Sequence, residues 1–174
     1  MEQTIINEVW RSVDGYMNYQ VSNIGRVRNA TTGKMLKLTD NTHGYLRLTL
    51  SNHEGQKKFS VHQLVAQEFL EKPANDGEVY QIDHINRNRL DNQVCNLRYA
   101  TISQNSANRQ KTRRPKTSQY KGVSLMKRTN KWVAKIRIDG KNLYLGTFAS
   151  EEEAAMAYDL KAEEAHGEFA VLNF

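Results

Sequence analysis

Between Lys111 and Gln119 the chain reads KTRRPKTSQ, nine residues with no apolar side chain and a proline at position 115. A stretch like this cannot run through a hydrophobic core. The 174 residues must therefore fold as small units on either side of it. Residues 111–119 are read as a linker. The charge distribution marks the same region. Eleven Lys and Arg, and no Asp or Glu, lie between Ser106 and Ile138. Residues 1–105 hold twelve basic and eleven acidic residues, and 139–174 hold two and eight. The net charge of +6 is thus concentrated in one segment, which points to a polyanionic partner. A solvated linker is the bland alternative.

With 39% hydrophobic and 25% charged residues, the chain has enough apolar material for packed cores and reads as soluble and globular. No apolar run approaches the roughly 18 residues of a membrane span. MEQTIINEVWR lacks the basic start and apolar stretch of a secretory signal. The single cysteine, Cys95, excludes an internal disulfide and any CxxC zinc site. An intracellular, reducing location is expected.

Three segments follow. In residues 1–76, YQVSN and RVRN flank Gly25 as strand, turn and strand. Leu46, Leu48 and Leu50 alternate as in a half-buried strand. Ser60 with Gln63 forms a capping-box pattern before Val61, Leu64, Val65 and Phe69, a helical apolar face closed by Pro73. In residues 77–110, VYQIDH predicts a strand, NRNRLDNQVCN a polar loop and LRYAT a second strand. Thr101 with Gln104 then caps a helix through ISQNSANRQ. A strand-loop-strand-helix unit of this size cannot hold a core alone and is expected to pack on the first segment. In residues 120–174, YKGVSLM, KWVAKIRID and NLYLGTF predict three strands, with turns at Arg128–Asn130 and Asp139–Gly140. Ser150 and Glu153 cap a helix to about His166, where Gly167 stops it. Ala154, Tyr158 and Ala162 form a narrow stripe suited to lying on a sheet, and Trp132 reads as core more than as a DNA contact.

The middle segment carries the chemistry. Asp83 and His84 end a strand, Asn96 closes the loop that follows, and Asn105 lies on the helix behind it. Phosphodiester hydrolysis needs a base to activate water and a cation to neutralise charge on the phosphate. Mg²⁺ takes few ligands from protein, all oxygens, and leaves the rest to water and phosphate. Asp83 and the amide oxygen of Asn105 suit such a sparse site. On an extended chain His84 points the opposite way from Asp83, towards the attacking water. His62 reads as structural, and His43, His53 and His166 as surface residues.

IDHINRNRLDNQVCNLRYATISQN resembles the HNH nuclease motif, the ββα-metal fold of many homing endonucleases. The resemblance implies that Asp83 is a metal ligand, that His84 is the general base, and that Asn96 holds the loop so that His84 is aimed. Where many members have a final His, this chain has Asn105, which implies the phage intron-type branch with Asn as second ligand. Mg²⁺ or Mn²⁺ is implied, and zinc is not.

Two flanking segments carry further resemblances. WRSVDGYMNYQVSNIGRVRN resembles a motif that precedes HNH cores in phage and bacterial homing endonucleases and extends their contact with DNA, which makes Arg26, Arg28 and Arg47 candidate phosphate contacts. YKGV, KWVAKI, LGTF, EEAAMAYD and AVLNF resemble the Apetala-type (ethylene-response-factor) DNA-binding domain, in which a three-stranded sheet enters the major groove. That resemblance implies DNA contacts from Lys121, Lys127, Arg128, Lys131, Lys135, Arg137 and Tyr144. Ser124, Met126 and Asn142 stand near places where plant members often have Arg, so a different target is implied.

The expected architecture is α+β. N-terminal strands and a ββα-metal nuclease core are linked to a three-stranded antiparallel sheet packed on one helix. The expected function is site-specific endonucleolytic cleavage of double-stranded DNA, in the service of a mobile genetic element, by a monomer in a bacterial or phage-infected cell. Cleavage would leave a 5′-phosphate and a 3′-hydroxyl. The runner-up is a non-catalytic DNA-binding regulator with a relic HNH core. An RNA-directed nuclease would need exposed aromatic pairs for base stacking, which the sequence lacks. Because Asp83, His84, Asn96 and Asn105 all precede Arg114, a chain ending there is expected to keep nicking DNA.

Overall fold

In the computed structural model, which describes residues 7–110 and 117–174, the chain is an α+β protein of short strands in sheets of two or three, with few helices. Residues 111–116 of the expected linker lie outside the described residues. The chain divides into two compact units, Met1–Tyr99 and Ala100–Phe174. No helix among the described residues is long and apolar enough to cross a membrane.

In the first unit, β1 (Trp10–Val13), β2 (Tyr16–Ser22) and β3 (Val27–Asn29) form an antiparallel sheet in that order. A second antiparallel sheet holds β4 (Thr39–Asp40), β5 (Leu46–Asn52) and β6 (Gly55–Ser60). The leucine alternation lies on β5: Leu48 and Leu50 are buried, while Arg47 and Thr49 face solvent. Helix α1 (Val61–Phe69) sends Val61, Leu64 and Val65 into the same core as Val13, Val21, Val27 and Leu50. Each such side chain contributes about 1.5–3 kcal/mol on full burial. The expected capping box at Ser60 is not formed. Ser60 is the N-cap, but its side chain makes no cap hydrogen bond. It is also the last residue of β6, paired with Arg47.

The middle segment supplies β7 (Tyr80–His84) and β8 (Leu97–Thr101), which pair with each other. Its first strand, the loop and the start of its second strand join the first unit. Leu97 is buried in the first-unit cluster, and Ile82 and Val94 pack against it.

The second unit begins with helix α2 (Ile102–Ala107), opened by the expected Thr101–Gln104 capping box. It ends at Ala107, short of the run to Gln110. Then β9 (Val123–Met126), β10 (Lys131–Ile138) and β11 (Lys141–Phe148) form an antiparallel sheet with β10 in the centre. Asp139 and Gly140, both at positive φ, make the two-residue turn that joins β10 to β11. Helix α3 (Glu151–His166) starts at the Ser150–Glu153 capping box and stops at Gly167. Its Ala154, Tyr158 and Ala162 lie buried on the sheet with Ala134 and Ile136, and Trp132 packs at the edge of this core.

Gly122 shows how close that packing is. A Cβ built there would stand 2.0 and 2.3 Å from Tyr158 ring carbons and 2.7 Å from the Lys135 carbonyl oxygen, at a φ of +77°. Overpacking and the left-handed backbone together should make Gly122→Ala cost about 3–4 kcal/mol. Denaturant unfolding followed by Trp132 fluorescence checks this. A midpoint unchanged from the native chain would contradict the packing described here.

Candidate active site

Asp83 and His84 are consecutive and both 5% exposed, which is unusual for polar residues at a strand end. Each finds a different partner. Asp83 Oδ2 accepts a hydrogen bond from Arg98 Nε at 3.0 Å, an ion pair across β7 and β8 with side chains 6% and 13% exposed. On the other side, His84 Nε2 lies 3.2 Å from Asn92 Oδ1. The Asn92 amide is oriented by its own Nδ2, which donates to the Leu90 carbonyl at 3.1 Å. Its Oδ1 is therefore the atom turned to the ring, so Nε2 carries the proton and Nδ1 the lone pair of the neutral imidazole. Burial pushes the His84 pKa below its ordinary value, and the Asn92 hydrogen bond opposes this only in part. His84 is thus neutral at pH 7, the form a general base requires.

The loop after His84 is braced by its own amides. Asn96 accepts from the Asn86 backbone N–H at 2.9 Å and donates to the Asp91 carbonyl at 2.8 Å, so one side chain ties the loop's two ends together. Arg87, at a φ of 65°, makes the first turn and donates its N–H to the His84 carbonyl. The N-terminal segment holds the loop from outside. Arg89 lies over the Tyr45 ring and donates to the His43 carbonyl. Gly25 touches Asn92 so closely that a Cβ there would meet the Asn92 Cβ at 2.9 Å. The residue that orients His84 is therefore itself backed by the segment that precedes the nuclease motif.

Two of these neighbours were not legible in the sequence. Asn92 is one of several Asn and Asp in a polar loop, and no local pattern pairs Arg98 with Asp83 across two strands. His62, read as structural, stands beside the site. Its ring packs edge-on to His84 at 5.2 Å and against Tyr45 at 5.0 Å. Among the described residues its Nδ1 has no hydrogen-bond partner. His166 is half-buried, not on the surface.

Burial, with smaller contributions from His84 and Arg47, pushes the His62 pKa down to about 4. The unfolded chain takes up this proton near pH 6.5 and the native chain only near pH 4. Stability should therefore fall as pH drops through that window and level off below it, a loss of about 3 kcal/mol. His62→Phe keeps a ring and removes the titration, so its unfolding midpoint should depend less on pH between 6.5 and 4. Equal pH dependence in the two chains would remove His62 as the cause.

The residues expected to touch DNA are distributed as follows. Lys127, Arg128, Lys131, Lys135, Arg137 and Tyr144 are exposed, with Lys131, Lys135 and Arg137 on β10. Lys121 is half-buried, its ammonium donating to the Ala107 carbonyl. In the first unit, Arg26 pairs with Glu8, Arg28 bonds Gln20 and lies over Trp10, and Arg47 is exposed. Asn105 lies half-buried on α2, in the second unit.

The donor set can be tested against a metal on its chemistry. Among the described residues no three His, Cys, Asp or Glu cluster as a metal cage. Asp83 and Asn105 offer oxygen donors, as a hard divalent cation with a mostly aqueous shell requires. By the chemistry of its oxygen alone, each is the kind of donor a hard divalent cation takes.

Family models match three parts of the chain: a NUMOD4 motif over residues 8–51, an HNH endonuclease over 60–107 and an AP2 domain over 118–168. The chain carries an HNH endonuclease domain followed by an AP2 domain. The HNH match contains Asp83, His84, Arg98 and also His62. The DNA endonuclease I-HmuI of Bacillus phage SP01 is 39% identical over 100 residues, 57% of this chain and 56% of that protein. A solved structure described as DNA binding and cleavage by the HNH homing endonuclease I-HmuI superposes with a TM-score of 0.53 at 26% identity, covering 91% of both chains. The AP2-like ethylene-responsive transcription factor AIL7 of Arabidopsis thaliana is 53% identical over 57 residues, 32% of this chain and 11% of that protein. The chain spans about a quarter to about half the length of the curated HNH relatives it matches.

Proposed function

We propose that this chain is a site-specific, metal-dependent DNA endonuclease of homing type, acting inside the cell as a monomer, in which the AP2 domain contributes target binding. The observation that carries the reading is His84. It is buried, neutral and held through Nε2 by Asn92, which leaves Nδ1 as the basic atom, on the residue that follows the carboxylate of Asp83. His84 Nδ1 takes a proton from water as the water oxygen bonds to phosphorus. The bond from phosphorus to the 3′-oxygen breaks and the departing oxygen takes a proton from solvent water, leaving a 5′-phosphate and a 3′-hydroxyl. A divalent ion held by Asp83 and Asn105 would supply neutralisation of the charge that builds on the phosphate. Asn96 keeps the loop, and so the His84 ring, from drifting.

Incubating the protein with a duplex DNA library and Mg²⁺, then mapping ends on each strand, tests this. Discrete cuts with 5′-phosphate ends are expected. Bound but uncut DNA would favour the non-catalytic regulator.

The AP2 part of the reading has its own test. Lys131, Lys135 and Arg137 project from the exposed side of β10. If all three neutralise phosphates, changing them together to alanine should flatten the slope of log affinity against log salt by about 2–3 units. The cleavage rate at saturating DNA should hold. An unchanged slope would mean that β10 does not face the phosphates.

A further inference from the structure

Helix α2 has six residues, fewer than two turns, and a helix of that length does not persist unaided in water. Its start is fixed by the Thr101 capping box. Its end is fixed by the AP2 domain. Ala107 is buried together with Ala100 and with Phe169, 7% exposed in the turn that follows α3. The Ala107 carbonyl is one of the helix-end acceptors that lack an intrahelical donor, and it receives the Lys121 ammonium. Lys121 is itself held in place. Asn173 bonds its backbone at both N–H (2.6 Å) and carbonyl (3.2 Å), and Asp159 of α3 accepts from the Asn173 side chain and backbone. A chain of contacts thus runs from α3 through the C-terminal tail to the last turn of α2.

We propose that the AP2 domain is a working part of the nuclease, in which Phe169 and Lys121 are positioning residues that seat α2, and with it Asn105, for metal binding. This rests on the reading of Asn105 as the second metal ligand. It also revises the expectation for a chain ending near Arg114. Such a chain retains every residue of the nuclease motif but lacks the seat of α2, so its metal requirement rises steeply. Lys121 acts here through its ammonium on a protein carbonyl, where the family resemblance implied a DNA contact.

The test compares the full chain with two variants, with Phe169→Leu and Asn105→Ala as controls. Phe169→Ala removes the apolar seat. Lys121→Met keeps the aliphatic stem and removes only the donor, which guards against a general loss of the AP2 fold. In metal-free protein, hydrogen exchange of amides 102–107 should rise about tenfold or more in both variants, with β10 amides unchanged. The Mg²⁺ concentration for half-maximal cleavage should rise about 10-fold, the usual effect of losing support behind a ligand. DNA affinity should be kept in Phe169→Ala, and Phe169→Leu should recover most of the loss. Native exchange rates at 102–107 in both variants would overturn the proposal. Asn105→Ala separates it from the reading beneath it. If that variant leaves the half-saturation point unchanged, Asn105 is no ligand and the catalytic consequence falls, whereas the exchange result still decides whether the AP2 domain seats α2.

Discussion

Replacing His84 with alanine is expected to leave DNA binding close to native and to lower the cleavage rate by about 10²–10⁴, the usual contribution of a positioned general base. Binding should survive because His84 is buried, while the candidate phosphate contacts on β10 lie in the other unit. The loss should be large because the neighbouring imidazole cannot take over. His62, the neighbouring imidazole, is itself buried and its pKa is about 4, too low for it to accept a proton efficiently at pH 7. The measurement is a single-turnover cleavage rate at saturating DNA, with a thermal melt to show that the fold is retained. A rate equal to that of the native chain would end the assignment of His84 as the base.

Local rules that read a few neighbouring residues transferred well from sequence to structure. The leucines of β5 alternate because one face is buried, and the Asp139–Gly140 turn follows from two residues that tolerate positive φ. The Thr101 and Ser150 capping boxes form as their spacing implies. At Ser60 the same pattern marks the N-cap position but not the side-chain hydrogen bond. Strand β6 was not legible either. GQKKFS has one apolar side chain, and its strand conformation comes from pairing with β5 rather than from any periodicity of its own. In the site, Asp83 and His84 stood out as a pair at a strand end, but their partners did not. Asn92 competes with Asn86, Asn88 and Asp91 in one polar loop, and only the fold shows which amide faces the ring. His62 is 22 positions before His84 in the sequence, and only the packing of α1 against the core brings the two rings together. Lys121 shows the same limit from the other side. A basic residue in a basic segment reads as a phosphate contact, and only the fold shows that its ammonium also meets a helix carbonyl.

Asp83 is the second residue whose loss should be severe, and the ion pair with Arg98 dictates how it must be tested. Asp83→Asn keeps the shape and an acceptor oxygen but removes the charge that both a metal and Arg98 need. Cleavage should fall by about 10³ or more, since several kcal/mol of charge stabilisation at the phosphate would go with the ion. Stability should also fall, by about 3 kcal/mol, because a mostly buried ion pair loses its negative member. A slow variant alone would therefore not separate a metal role from a structural one. The double variant Asp83→Asn/Arg98→Met does so, since it takes away both charges and leaves an apolar stem in the space of the arginine. Its melting temperature should return most of the way to native, because a buried pair can be replaced by apolar packing at little net cost. Its cleavage should stay as low as that of Asp83→Asn, with the dependence on Mg²⁺ shifted to higher concentration. Recovery of cleavage along with stability would mean that the Asp83 carboxylate serves only to neutralise Arg98, and the metal would then have to be held elsewhere.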